Sequence, residues 1–118
     1  MTTPEGATVR AWHEALNRGD VDGLVALSTD DVEVGGPSGA GRGAQLLREW
    51  FGRAGIRLEP RREWQNGPAV VVEQGGQWAE AGEQQALASV FTVRDCLVAS
   101  VVRYPDSASA LRAAGLGR

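Results

Sequence analysis

Apolar residues recur at helical spacing in the first half of the chain and alternate with polar ones in the second, so the two halves predict different structures. Val9, Trp12, His13 and Leu16 stand at i, i+3, i+4 and i+7 and form one stripe of a helix. That helix is expected to run from Thr3 as N-cap, with Pro4 in its first turn, to Arg18, with Gly19 as its stop. Asp20 then caps a short second helix carrying Val21, Leu24 and Val25, and Asp30-Asp31 turns the chain into a strand around Val32 to Val34. Beyond a glycine-rich segment, Leu47, Trp50, Phe51 and Ala54 again have helical spacing, and Gly55 ends that third helix. From there the period drops to two. Turn signals at Asn66-Gly67, Gly82 and Asp95 divide the remainder into about four strands, which should pair as an antiparallel meander. Asp106, after Pro105, caps a final short helix through Ala110, Leu111 and Ala114 to Gly115. Helices followed by a curved sheet make an α+β order, in one domain over residues 1–118.

Strand alternation sorts the side chains by face. A two-residue turn at Asp95-Cys96 pairs Arg94 with Leu97, Phe91 with Ser100 and Leu87 with Tyr104, which puts Leu87, Ser89, Phe91, Val93, Val98, Ser100, Val102 and Tyr104 on one face. The opposite face, with Ala88, Val90, Thr92, Ala99, Val101 and Arg103, is also apolar in its middle. A sheet with one wet face would alternate more cleanly, so the outer face is expected to be covered by a second subunit in a homodimer. In the earlier hairpin a bulge at Gly75-Gly76 would point Ile56, Leu58, Arg62, Trp64, Val71 and Glu73 inward. Without it, Arg61, Glu63 and Val72 would replace several of these and expose Trp64. Burial of the larger apolar groups favours the bulge.

Composition narrows the chemistry. The chain has 118 residues and 12.5 kDa, 42% hydrophobic and 23% charged residues, a net charge of −3 and a pI near 5.1, values that fit a soluble globular domain and do not favour nucleic acid as a partner. All twelve basic residues are arginine. Without lysine there is no Schiff base and no phosphate-loop lysine, and this usage with sixteen glycines suggests a high-GC bacterial genome. One histidine and one cysteine, Cys96, allow no intramolecular disulfide and no typical zinc site, so neither metal nor cofactor is expected. The amino terminus has neither a basic region nor an apolar run, and no apolar stretch exceeds strand length. A cytoplasmic protein without contact to the membrane is the expectation.

The segment Ala15 to Val34, read as helix end, glycine stop, short helix, paired aspartates and strand, resembles the opening of the nuclear transport factor 2-like superfamily. Its SnoaL-like and ketosteroid isomerase-like members are cones, with N-terminal helices packed in the concave face of a bent antiparallel sheet of cystatin-like form. The resemblance implies that fold and a pocket inside the cone, and its motifs specify architecture more than activity. Where ketosteroid isomerases carry a catalytic aspartate, this chain has Val34-Gly35-Gly36-Pro37. The oxyanion-hole tyrosine of that family corresponds to Trp12, an N–H donor but no acid of that kind, and its late-strand protonated aspartate to about Leu87. A late-strand tryptophan matches Tyr104. The isomerase mechanism is therefore not implied, although a cavity is.

Other residues offer chemistry. Gly39-Ala-Gly41-Arg-Gly43-Ala44 with Glu59 fits a dinucleotide-binding spacing, but that motif needs a parallel βαβ unit where this chain predicts a meander, and a loop before the third helix is the preferred reading. An inward Glu73 near Arg62, facing Ser89, Ser100 and Tyr104, could serve as a general acid or base, and the same two residues could equally form an internal ion pair. His13 is either a proton carrier or a hydrogen-bonded core residue. Trp12, Trp50, Trp64 and Phe91 either wall a site for a flat apolar ligand or fill the cone. Two functions follow as expectations. The first is a cone that binds a small hydrophobic or aromatic molecule, with isomerase, cyclase or hydrolase activity through Glu73 or His13. The alternative is a non-catalytic dimeric interaction domain whose cone is plugged.

Overall fold

The computed structural model describes residues 3–36, 39–52, 56–77 and 84–116. Helix α1 (Pro4–Arg18) starts at Thr3, whose hydroxyl accepts from the Gly6 N–H, and stops at Gly19 with φ of 74°. A left-handed backbone there lets the Gly19 N–H reach back to Ala15 and Leu16 without the strain a side chain would bring. Helix α2 (Val21–Ala26) is capped by the Asp20 carboxylate on the Gly23 N–H. Strand β1 (Ser28–Gly36) turns into the short β2 (Gly39–Arg42), so the glycine-rich motif lies partly in an antiparallel hairpin and not in a βαβ unit. Helix α3 (Ala44–Leu47) widens into a π-helical turn at Arg48–Gly52. The wider turn leaves Trp50 at the surface, 37% exposed, although its spacing assigns it to the core; Leu47 is the residue that goes inside. The expected helix stop at Gly55 and the turn at Gly82 lie outside the described residues.

Strands β3 (Arg57–Asn66), β4 (Ala69–Gln77), β5 (Gln85–Arg94) and β6 (Leu97–Tyr104) form the meander, and α4 (Ser107–Ala113) follows from its Asp106 cap. The sheet order is β2-β1-β6-β5-β4-β3. All neighbours are antiparallel except β1 and β6, a parallel pairing the meander reading did not include. Both residues of the β5–β6 turn, Asp95 and Cys96, have positive φ, 53° and 63°, as a two-residue hairpin turn of the primed type requires.

Two bulges decide which side chains face inward. The first lies on β3 at Arg61, between Pro60↔Gln74 and Arg62↔Glu73, and not at Gly75-Gly76. Past it the alternation of β3 is inverted: Glu63 faces in opposite Val72, while Arg62, Trp64, Val71 and Glu73 face out. The second lies on β6, where Thr92↔Ser100 is followed by Val93↔Val98, leaving Ala99 as the extra residue. One inserted residue turns every later side chain of β6 to the other face. Val101, 3% exposed, takes the core place expected for Ser100, and Ser100, Val102 and Tyr104 turn outward.

The apolar outer face now has an occupant from the same chain. Helix α4 lays Ala110 and Leu111 over Val71, Ala88, Val90, Trp64 and Tyr104. The concave face carries the larger cluster, built from Val9, Trp12 and Leu16 of α1 with Leu24, Val34, Leu47, Leu58, Val72, Phe91 and Val101. Among the described residues no helix is long and apolar enough to cross a membrane.

Candidate functional site

Aromatic side chains occupy the hollow of the cone. Trp12 makes edge-on contacts with Phe51, Phe91 and His13, at ring-centroid distances of 5.4, 5.1 and 5.7 Å, and Trp12 and Phe91 are fully buried. The indole N–H of Trp12 donates to Ser28 Oγ at 3.2 Å, and Ser28 Oγ donates to the Leu24 carbonyl at 2.8 Å. The donor that sequence comparison offered for an oxyanion is thus already engaged by the protein.

A chain of buried polar groups crosses this interior. His13 Nδ1 lies 2.8 Å from the Val9 carbonyl, which can only accept, so Nδ1 carries the proton. His13 Nε2, left bare, accepts from the Gln74 side-chain amide at 2.7 Å, and Gln74 Oε1 accepts from the Ser89 hydroxyl at 2.8 Å. All three side chains are buried, and the direction of each hydrogen bond fixes the next. Burial pushes the His13 pKa down from 6.5 to about 4, outweighing the opposing effect of the hydrogen bond to Val9, so the ring is neutral near pH 7. Protonating Nε2 would also set it against the Gln74 amide N–H groups. Gln74, absent from the candidates drawn from sequence, sits on β4 in alternation with Val70 and Val72; that period of two is the signal that would have placed it inside.

Open space begins where α1 leaves the sheet. Arg10, His13, Glu14, Asn17 and Arg18 are spaced i, i+3, i+4, i+7 and i+8, a polar stripe beside the apolar one, and they face Pro60, Arg61, Arg62 and Glu63 of β3 across a cleft of about 860 Å³. The volume lies within the usual range of small-molecule sites, roughly 300–1,000 Å³. His13 belongs to both stripes and forms part of the cleft lining while its ring nitrogens point to interior partners. Asn17 fixes the width of the cleft: its side-chain amide donates to the Leu58 carbonyl and its oxygen accepts from the Leu58 N–H, both at 2.9 Å, so α1 is pinned to β3. The Arg61 bulge interrupts the ladder beside the opening; Arg61 and Arg62 both border it, with the Arg62 guanidinium turned to the outer face over Trp64.

The other candidates are dispersed. Glu73 lies half-buried on the outer face, where its carboxylate accepts from the Ser107 hydroxyl of α4 at 2.8 Å; it is opposite Arg62 in the ladder without forming an ion pair with it. Trp64 and Tyr104 pack beneath α4, Ser100 faces outward, and Trp50 is exposed. Of the residues expected to line a pocket, Trp12, Ser89 and Phe91 stay in the buried interior and Arg62 borders the cleft. The unbroken β4–β5 register sets Glu73 opposite Ala88 and on the other face from Ser89, and the bulge at Ala99 turns Ser100 and Tyr104 away from it. Among the described residues, no group of three or more histidine, cysteine or acidic side chains is arranged to hold a metal ion.

Helices packed in the hollow of a bent, largely antiparallel sheet agree with the nuclear transport factor 2-like architecture. The chain belongs to the SnoaL-like domain family, whose pattern it matches over residues 9–101. Solved structures agree with that assignment. A nuclear transport factor 2-like protein of unknown function from Cytophaga hutchinsonii superposes with a TM-score of 0.79 at 14% identity, covering 88% of this chain and 90% of that one. An uncharacterised cystatin-fold protein from Novosphingobium aromaticivorans gives 0.73 at 20% identity over 88% and 98%. An LEH-like epoxide hydrolase from M. tuberculosis gives 0.75 at 27% identity over 98% and 94%.

Proposed function

We propose that the protein is a small-molecule-binding SnoaL-like domain whose ligand, a metabolite with a flat, largely apolar body, lies in the cleft between α1 and β3 while the cone interior is scaffold. The observation that supports this reading is the division of space: Trp12, Phe51 and Phe91 occupy the interior, and the roughly 860 Å³ opening beside them ends on His13. Binding is favoured over turnover because, among the described residues, the buried polar side chains include no aspartate or glutamate, and the His13 nitrogens are both engaged. The test is a screen of aromatic and terpenoid metabolites by amide NMR. Shifts confined to residues 10–18 and 60–63 would support the reading, and shifts centred on the Trp12 and Phe91 interior would overturn it. Silence across the set would favour the plugged interaction domain instead.

A second reading has one observation in its favour, the 27% identity to an epoxide hydrolase over almost the whole chain. It expects diol formation from epoxides that is lost in His13→Ala. Dimerisation is a separate proposal: with Val71, Ala88 and Val90 under α4, the half-buried Thr92, Ser100 and Val102 are what the outer face offers a second copy, and light scattering in solution tests it.

A further inference from the structure

Helix α4 is fastened to the sheet at both ends. At its start the Ser107 hydroxyl donates to Glu73 at 2.8 Å. At its other end Gly115, with φ of 78°, closes a Schellman turn in which the Gly115 N–H reaches the Arg112 carbonyl and the Leu116 N–H the Leu111 carbonyl. That turn leaves the Ala114 carbonyl over, and the side-chain amide of Asn66 donates to it at 2.7 Å from 48 positions away. Asn66 is exposed and ends the β3 ladder, whose last pair is Asn66↔Ala69. Gly67 follows at the hairpin tip with φ of 58°, and no atom beyond its chain neighbours lies within 4 Å of where a Cβ would stand. The chain has two asparagines, and the other differs on each count: Asn17 precedes Arg18 inside α1, and both ends of its amide are held by Leu58.

We infer that Asn66 is a site of spontaneous deamidation and that the product frees the end of α4 from the outer face. A glycine after asparagine has no Cβ to obstruct ring closure and lets the backbone bend into it. The Gly67 nitrogen attacks Asn66 Cγ, its proton passes through solvent to the departing side-chain nitrogen, and ammonia leaves a succinimide. Water then adds at one of the two ring carbonyls and opens it to aspartate or isoaspartate. While the Asn66 amide is bound to Ala114 the side chain is not free to turn onto the Gly67 nitrogen, so the reaction waits on fraying of the last turn of α4. Once it has happened the donor is gone. A carboxylate at position 66 sets oxygen against the Ala114 carbonyl, at the negative end of a helix, and the hydrogen bond cannot re-form. Reversible fraying becomes permanent, and Leu111 and Ala114 lose their hold over Trp64 and Tyr104. Position 66 is on the α4 side of the sheet, so the site stands apart from the cleft.

Ageing the purified protein in mildly alkaline buffer, with peptide mapping by mass spectrometry, tests the chemistry. Aspartate and isoaspartate are expected at position 66 while Asn17 stays intact. Asn66→Gln should remain unmodified, because its longer side chain closes the ring slowly. Asn66→Asp reproduces one product directly: amide exchange over residues 110–116 should rise about five- to tenfold, the scale of one lost hydrogen bond, while exchange in α1 is unchanged. Ser107→Ala, which loosens the other end of α4, should speed deamidation of Asn66. No preference for Asn66 over Asn17 overturns the site. Deamidation of Asn66 with unchanged exchange in α4 overturns the release, and a rate in Ser107→Ala equal to that of the wild type overturns the protection by α4.

Discussion

The cone interior and the cleft meet at His13, and they treat polar groups in opposite ways. Inside, Val9, His13, Gln74 and Ser89 form a buried, neutral series joined by three hydrogen bonds. Outside, four arginines and two glutamates face open space with loose ion pairs of 3.6 to 4.0 Å. Polar groups in a low-dielectric interior are costly unless fully paired, whereas exposed charges exchange partners with water at little cost. Stability should therefore reside in the first region and ligand selectivity in the second, with one helix supplying both.

The sharpest way to break that division is Trp12→Ala. It removes the ring on which Phe51, Phe91 and His13 converge and leaves Ser28 Oγ without its donor, so a loss of about 3–5 kcal/mol in denaturant unfolding is expected. An effect below about 1 kcal/mol would mean the interior is not the packed half of the molecule.

Acid titration comes next in size. Because the folded-state pKa of His13, about 4, lies below its ordinary 6.5, the unfolded chain takes up the proton first as the pH drops. The stabilising contribution of the neutral ring is complete above about pH 6.5, declines as the pH falls towards 4, and levels off below it. About 3 kcal/mol is at stake over that window. The measurement is the difference in unfolding free energy between the wild type and His13→Gln, followed from pH 7 to pH 4; a flat difference would show that His13 is not held neutral.

Gln74→Leu and Ser89→Ala separate packing from pairing. Each leaves a neighbour unpartnered, His13 Nε2 in the first and Gln74 Oε1 in the second, and each should cost about 1–3 kcal/mol. The double variant should cost less than the sum of the two, because both belong to one series. Strict additivity would show that the hydrogen bonds act separately.

The smallest stability effects belong to the cleft and to the residues beneath α4. Arg62→Gln and Glu63→Gln should stay within about 0.5 kcal/mol of wild type in chemical denaturation, since both side chains border solvent. Glu73→Gln and Tyr104→Phe should leave ligand affinity at the cleft unchanged, because both face α4 on the other side of the sheet. Loss of affinity in either would place the ligand elsewhere.

Helix limits were legible in the sequence because their causes are local. Thr3, Gly19, Asp20 and Asp106 cap or stop helices through their own side chains or backbone freedom, and the turn at Asp95-Cys96 needs only two residues. The α+β order and the inward positions of β5 follow from periodicity in the same way. The β bulges at Arg61 and Ala99 have no such signature. A bulge is settled by how many apolar groups each register buries against distant elements, here Val101 against the core and Trp64 and Tyr104 against α4, and one inserted residue turns all that follows to the other face. A bulge placed at Gly75-Gly76 turns Glu73 inward, and a β6 without its bulge at Ala99 does the same for Ser100 and Tyr104. The pairing of His13 with Gln74, 61 positions apart, likewise exists only once the sheet has bent around α1. Local chemistry in the sequence determined the elements and their order; long-range packing decided the faces, and with them the packed hollow of the cone and the cleft beside it.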